Sequence, residues 1–386
     1  CSPDFGVKAV IDRFRQLNPK ILIICDYYIY NGKKFNYSNQ LSKIQNILKI
    51  PHTLKTAYPS ASSKKLDLEK IYQKYQNHKV LKTTFVSFDH PLYILFSSGT
   101  TGLPKCITHS HGGVTLQHLK ELSLHTNISS NDNMLFFTTC GWMMWNWMVS
   151  NLLIGATISL YEGSPFYPDA KNFIKVIKKS EATILGAGAK AYEHLHSKQL
   201  PKKDTYIKNL KSILSTGSPL SDDTFNFINK KINKSIPIHS ISGGTDIVSC
   251  FMLGNPMKPV FKGEIQSPGL GMDIDVFDDR GYPTRKTGEL VCKSPFPSKP
   301  IYFWNDRNNK KYQSAYFTKY NNIWSHGDFV KKTDNGGYRV FGRSDATLNP
   351  GGVRIGTAEI YNILNSIVFI SDSLAVGYKD KNDEKI

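Results

Sequence analysis

Hydrophobic and polar positions follow two textures along the chain, and the change falls near residue 263. Upstream, short apolar runs alternate with stretches of helical spacing; downstream, brief strands succeed one another through turns rich in Pro, Gly, Asp and Asn. Val7–Leu17 reads as an amphipathic helix, with Ser2 as its N-cap and Pro3 at the first helical position. Lys20–Asp26, an apolar run closed by a polar residue, predicts a buried parallel strand. Strands are predicted again at Tyr93–Phe96, Ala156–Tyr161, Ala182–Leu185, Ser212–Leu214 and Ile236–Ser240, with helices at Asp169–Ser180 and Asp222–Ile232. That alternation predicts a layered α/β unit. Beyond Gly263, strands at Met272–Phe277, Gly288–Cys292, Ile323–Phe329 and Tyr338–Phe341, with hairpin turns at Asp278–Gly281 and Asp334–Gly337, predict a smaller antiparallel β region. A last strand-like piece, Ser373–Tyr378, runs into a polar end, as if a following domain were interrupted.

Composition narrows the partners. With 386 residues, 40% of them hydrophobic, the chain has ample material for a core, and no apolar run approaches the roughly 20 residues of a membrane span. No stable membrane insertion is expected. The net charge of +18 raises the question of nucleic acid. The lysines, however, are scattered, in pairs such as Lys33-Lys34 and Lys230-Lys231 that read as solvated faces, without a zinc finger or a basic-aromatic repeat. No nucleic-acid partner is expected. The six cysteines lie far apart without metal-ligand spacing, which predicts reduced, buried thiols in a cytosolic protein. No signal or transit peptide precedes Cys1, and neither does an initiator Met, so the chain reads as cut upstream.

The segment richest in chemistry is Tyr93-Ile-Leu-Phe-Ser-Ser-Gly-Thr-Thr-Gly-Leu-Pro-Lys105. An apolar strand leads into glycines and hydroxyl residues and ends on a lysine, so backbone N–H groups and hydroxyls can surround an anion beside a cation. The spacing from Gly99 to Lys105, and Cys106 after it, are not those of a P-loop.

This stretch resembles the signature loop of the adenylate-forming superfamily, which includes acyl-CoA synthetases, luciferases and peptide-synthetase adenylation domains. Four further segments match in order: Ser215-Thr-Gly-Ser-Pro219-Leu resembles the adenine-contacting turn, Ser242-Gly-Gly-Thr245-Asp246 the end of the Thr-Glu segment, Trp324-Ser-His-Gly-Asp328 the segment with the ribose aspartate, and Gly342-Arg343-Ser-Asp345 the hinge. His109–Gly113, Thr138–Asn146 and Tyr161–Pro165 resemble the acetoacetyl-CoA synthetase branch, related to the acetyl-CoA synthetases. The resemblance covers essentially the whole chain. It implies an adenylate-forming fold: 1–262 as the α/β part of a large AMP-binding domain, 263–342 as its β-rich subdomain, 343–348 as hinge, and 349–386 as the start of a small α+β C-terminal domain.

The resemblance also implies roles. Ser97, Ser98, Gly99, Thr100, Thr101 and Gly102, with Gly217, Ser218 and Pro219, bind ATP or AMP, and Lys105 offsets phosphate charge. Asp328 accepts from the ribose hydroxyls, though an isolated Asp there is more often a turn former. Arg343 and Arg354 neutralise ribose or phosphate oxygens. Thr245 and Asp246 hold Mg²⁺ on the nucleotide, Asp246 standing where the family has the longer Glu. Trp142, Met143, Met144 and Gly243 wall the acid pocket, although the Trp/Met stripe also reads as plain core; Gly243 stands where acetyl-CoA synthetases carry a Trp, which implies room for a longer acid. Asp345 is the hinge and Gly352 the opening for the pantetheine arm of CoA; His109 and His111 are open to polarising or capping roles.

The implied reaction converts acetoacetate, ATP and CoA to acetoacetyl-CoA, AMP and pyrophosphate. Ligation of another short acid, such as acetate or propionate, and an inactive nucleotide-binding remnant are the alternatives. No Pro-x-Thr-x-Ser-Gly-Lys segment, which completes the family's adenylation site, occurs in the chain, so the chain alone is expected to be impaired.

Overall fold

The protein is described from a computed structural model that covers all residues except 2–3, 26, 59–65, 78–81, 98–102, 345–346, 349, 351–354, 357–359, 361–363, 365–366, 368, 371–372 and 381–382. Helix α1 (Val7–Phe14) opens the chain, followed by β1 (Ile21–Cys25), a hairpin of β2 (Tyr27–Tyr30) and β3 (Lys33–Asn36), α2 (Ser38–Leu48), β4 (His52–Thr56) and α3 (Asp67–Tyr75). The N-cap of α1 is Gly6, whereas the expected cap Ser2 and Pro3 lie outside the described residues. β1 does pair in parallel, with β4, but in a sheet of two strands. Ile21 and Ile23 remain 53% and 58% exposed, so the predicted burial of this run is corrected: an apolar run reports strand length, not what covers the strand.

Next come β5 (Pro91–Ser97), β6 (Lys105–Ser110) and α4 (His111–Lys120), which a π-helical turn extends over Glu121–His125. β5 leads into the signature loop but does not join the parallel sheet. It folds back antiparallel on β6, Ser97 facing Lys105, so the loop spans a hairpin.

The parallel sheet is built from β7 (Asn133–Phe136), α5 (Met144–Val149), β8 (Thr157–Ser159), α6 (Lys171–Ser180), β9 (Ile184–Gly188), α7 (Ala189–Ser197), α8 (Lys202–Thr205), β10 (Ser212–Thr216), α9 (Asp222–Phe227) and β11 (Ile238–Ser240). The strand order is β11-β10-β9-β7-β8, parallel throughout. Alternation divides its side chains between two cores. Leu135, Leu185 and Ile213 pack with α6, α7 and α9, while Met134, Phe136, Ile184 and Leu214 pack with Trp147 and Met148 of α5. The helix predicted to reach Ile232 is α-helical only to Phe227 and then passes into a π-helical turn.

Two further antiparallel units follow the parallel sheet, before two short strand pairs near the end of the chain. β12 (Ser242–Gly244), β13 (Ser249–Leu253) and β14 (Ser267–Pro268) form one. β15 (Ile274–Phe277), β16 (Gly288–Cys292), β17 (Tyr302–Phe303), α10 (Lys310–Tyr316), β18 (Trp324–Lys332) and β19 (Tyr338–Arg343) follow; β15-β16-β18-β19 pair in that order and β17 adds to β6. The predicted β region is therefore present. Its core joins Ile107, Phe251, Leu290, Trp324 and Val330 from four strands. Of the strand expected at Ser373–Tyr378 only Tyr378 is extended in a ladder, Tyr378–Asp380 pairing with Asp383–Lys385. All six cysteines are free, as expected, yet Cys1 and Cys140 are exposed. Among the described residues no helix is long and apolar enough to cross a membrane.

The buried side of β6 and α4 is polar, and it grips the turn between β12 and β13. His109 Nε2 lies 3.1 Å from the Thr245 carbonyl and His118 Nε2 2.6 Å from that of Val248. His125 Nδ1 donates to the Gly254 carbonyl at 2.7 Å while its Nε2 accepts from the Leu270 N–H, which fixes the neutral tautomer. Val248 has φ 49°, costly for a β-branched residue, and the bond from His118 helps to hold it. Burial lowers His109 and His118 from 6.5 to about 4, so between these values the unfolded chain binds protons that the native state refuses. Stability is thus present above about pH 6.5 and is lost as the pH falls toward 4, by roughly 3 kcal/mol for each residue. Urea titrations from pH 7 to 4.5 are expected to show a falling midpoint, and His118→Gln, which can still donate to Val248, to flatten the profile; a pH-independent midpoint would contradict the assignment.

Candidate active site

Three clusters of site residues form at strand ends and are tied to one another. At the first, β6 begins with Lys105, whose Nζ lies 3.0 Å from Asp246 Oδ1. The Tyr316 hydroxyl donates to the same oxygen at 2.6 Å, and the Lys105 ammonium lies 5.1 Å from the centre of the Tyr316 ring. Asp246 is 4% exposed, so this shared acceptor is a desolvated, charge-assisted contact. Segments 141 and 70 residues apart meet on one carboxylate.

The second cluster is the turn after β10. Gly217 adopts φ 84°, which a side chain would strain, and so lets the chain reverse sharply at the sheet edge. Thr216 Oγ1 donates to the Ile241 carbonyl at 3.0 Å and the Ile241 N–H to Ser215 at 2.9 Å, binding this turn to the strand that leads to Thr245. The Ser218 hydroxyl, and that of Ser97 at the end of β5, are buried without a partner among the described residues. Buried unpaired hydroxyls at strand ends fit a site whose ligand supplies the missing bonds.

The third cluster pairs β18 with β19. Asp328 and Arg343 are register partners; Arg343 Nη1 donates to Asp328 Oδ1 at 2.8 Å and Nη2 to the His326 carbonyl at 3.2 Å, with His326 Nε2 3.6 Å from Asp328 Oδ2. The Tyr316 ring stacks on Trp324, at the start of β18, with centroids 3.7 Å apart and planes 14° apart. One aromatic wall therefore backs both the Asp246 and the Asp328 clusters.

Sequence reasoning missed two organisers. Tyr316 is one; Tyr312 and Tyr316, four apart in α10, mark a buried helix face by spacing alone. Glu289 is the other. Its carboxylate, 2% exposed, accepts from the Gly327 N–H at 2.6 Å, from Lys319 at 2.8 Å and from the Ser344 hydroxyl, pinning the residue before Asp328, which lies inside β18 and not on a turn, to the residue after Arg343. A carboxylate inside Gly288-Glu-Leu-Val-Cys292 is the signal, since a charge in a buried strand needs partners.

The acid-pocket residues divide. Met143 and Met144 are buried in the core beside the sheet, and Trp142 packs edge-on to Phe136 at its margin. A Cβ on Gly243 would come within 2.0 Å of the Ser249 carbonyl oxygen and 2.6 Å of Cys250 Cα. The glycine is thus required by the close approach of β12 to β13, and the direction of that Cβ is into the neighbouring backbone. Ser98, Gly99, Thr100, Thr101, Gly102, Asp345, Gly352 and Arg354 lie outside the described residues.

For a divalent ion, Thr245 and Asp246 offer hard oxygens, but Asp246 Oδ1 already accepts two donors. Among the described residues no group of three or more His, Cys, Asp or Glu side chains could hold a metal. The pair fits an ion that arrives on a triphosphate rather than one the protein holds by itself.

Fold and clusters together define the adenylate-forming class of nucleotide-binding enzymes. Residues 1–302 match the family model described as AMP-binding enzyme, and the chain belongs to that family. Across its full length it is 46% identical to the acetoacetyl-coenzyme A synthetase of Rhizobium meliloti and 45% to the acetoacetyl-CoA synthetase of Gallus gallus, covering 60% of each. Among solved structures it is similar to acetoacetyl-CoA synthetase from Streptomyces lividans, with a TM-score of 0.79 at 37% identity over 98% of this chain and 59% of that one. The chain spans about 60% of the length of the curated relatives it matches.

Tyr316→Phe removes the hydroxyl from Asp246 and keeps the ring on Trp324. It is expected to weaken Mg·ATP binding about tenfold and to lower the melting temperature, since a buried carboxylate loses one donor, while AMP affinity changes little. Equal affinities for Mg·ATP in calorimetry would contradict the role given to Asp246.

Proposed function

We propose that this chain carries the nucleotide- and acid-binding core of an ATP-dependent ligase that joins acetoacetate to CoA. The observation that carries the proposal is the meeting of Lys105 and Tyr316 on Asp246, which sets a cation and a carboxylate together at the start of β6. Full-length similarity to acetoacetyl-CoA synthetases supports acetoacetate as the acid. In the first half-reaction the acid carboxylate attacks the α-phosphorus of ATP and pyrophosphate leaves; in the second the CoA thiol attacks the acyl carbonyl and AMP leaves.

Both substrates are anions, so their approach needs opposed charge and fixed orientation. Lys105 offsets phosphate charge, Thr245 and Asp246 offer oxygens to the Mg²⁺ borne by the triphosphate, and Ser97, Gly217, Ser218 and Pro219 receive the nucleotide. The magnesium ion supplies charge neutralisation on the leaving pyrophosphate. Asp328, oriented by Arg343, accepts from the ribose hydroxyls. Trp142 and the hairpin bearing Gly243 wall the acid. In the same reading Ser98 to Gly102 and Arg354 complete the phosphate contacts, residues 343–348 act as hinge at Asp345, Gly352 admits the pantetheine arm, and the protein works in the cytosol.

Acyl-sulfamoyl adenosines, which keep the acyl-adenylate shape without turning over, test acid choice independently of rate. The acetoacetyl compound is expected to bind at least about tenfold more tightly than the acetyl compound, read by calorimetry and by the rise in melting temperature. No binding of either compound, or preference for acetyl, would overturn the reading.

A further inference from the structure

Glu121 has no part in the chemistry above, yet it is fully buried in a single π-helical turn after α4, a distortion often found near functional sites. Its carboxylate is surrounded by donors from three elements. Oε1 accepts from Ser249 Oγ at 2.6 Å, Gln117 Nε2 at 2.8 Å and the Cys250 N–H at 3.3 Å; Oε2 accepts from Trp147 Nε1 at 2.9 Å. All four partners donate, so the acceptor-only carboxylate is the form they satisfy, even though burial raises its pKa.

What those donors belong to gives the group its meaning. Trp147 lies in the helix that continues the Trp142 segment, one wall proposed for the acid. Ser249 and Cys250 are the two residues against which Gly243 packs, with no room for a Cβ, and they belong to the hairpin proposed above as the other wall. One carboxylate therefore bonds to both segments, Oε2 to Trp147 and Oε1 to Ser249 and Cys250 together with Gln117 of α4. A side chain with four partners in a buried site allows little play, so its length and charge fix the separation of the walls.

We propose that Glu121 is a positioning residue that sets the width of the acid pocket and thereby the acid the site accepts; this rests on the ligase reading above. Glu121 touches no reacting atom. It acts through Trp147 and through the β12–β13 hairpin. Glu121→Gln keeps the shape but turns an amide N–H₂ toward a donor, so one wall must move.

The test compares wild type, Glu121→Gln and Ser249→Ala, the last removing one donor while leaving the carboxylate, in case Glu121→Gln does not fold. Affinities are measured for AMP and for the acetoacetyl- and acetyl-sulfamoyl adenosines, and hydrogen exchange is followed in peptides covering 142–149 and 242–254. The acetoacetyl-to-acetyl preference is expected to shift about fivefold or more in a folded variant, with AMP affinity within about twofold. Exchange should rise in both peptides and not across the parallel sheet. A merely structural carboxylate would weaken all three ligands alike, so an unchanged preference in a folded variant overturns the proposal. If wild type binds neither acyl compound, the ligase reading fails by itself. The exchange arm then decides, and unchanged protection at 242–254 refutes the coupling.

Discussion

One buried carboxylate, that of Asp246, is the constraint on which the site depends. A carboxylate taken out of water needs partners, and here they come from distant segments: the ammonium of Lys105 at the start of β6 and the hydroxyl of Tyr316 in α10. Satisfying Asp246 therefore brings the end of the signature loop, the Thr245 turn and the aromatic wall to one place. The remaining clusters attach to that knot. Trp324 stacks beneath Tyr316 and begins the strand that bears Asp328, while Ile241 ties the turn at Gly217 to the strand leading to Thr245.

A second layer of buried polar groups holds the knot from behind. His109, His118 and His125 donate to or meet the carbonyls of Thr245, Val248 and Gly254, and Glu121 grips Ser249 and Cys250. The segment that carries the Thr245-Asp246 pair is thus fixed along its length by one helix and the strand before it. This explains how a positive φ at Val248 persists next to the site, since backbone strain survives only where its surroundings over-determine it.

Much of this was legible in the sequence, and unevenly. The parallel strands around Ile184, Ile213 and Ile238 and the antiparallel region after Gly263 could be read because their apolar runs and turn residues are local signals. The partners of each strand could not. Lys20–Asp26 has the look of a buried strand, yet Ile21 and Ile23 are more than half exposed, and Tyr93–Phe96 pairs in a hairpin instead of the main sheet. Among site residues, Lys105, Asp246, Asp328 and Arg343 stood out by motif, and the structure brings them together in pairs. Tyr316, Glu289 and Glu121 did not, because their importance lies in what they touch across the fold. Gly243 shows the same limit: the residue type was noticed, but the direction in which a Cβ would point, into Ser249, is a property of the hairpin.

A double-mutant cycle on folding stability tests the central claim most directly, using Lys105→Met, Asp246→Asn and the combination in chemical denaturation. If Asp246 is the point that joins these segments, the effects are coupled by about 1–3 kcal/mol, the double variant losing less than the two single variants together. Effects that simply add, to within about 0.3 kcal/mol, would mean that the two residues do not sense each other, and the account would fail at its foundation.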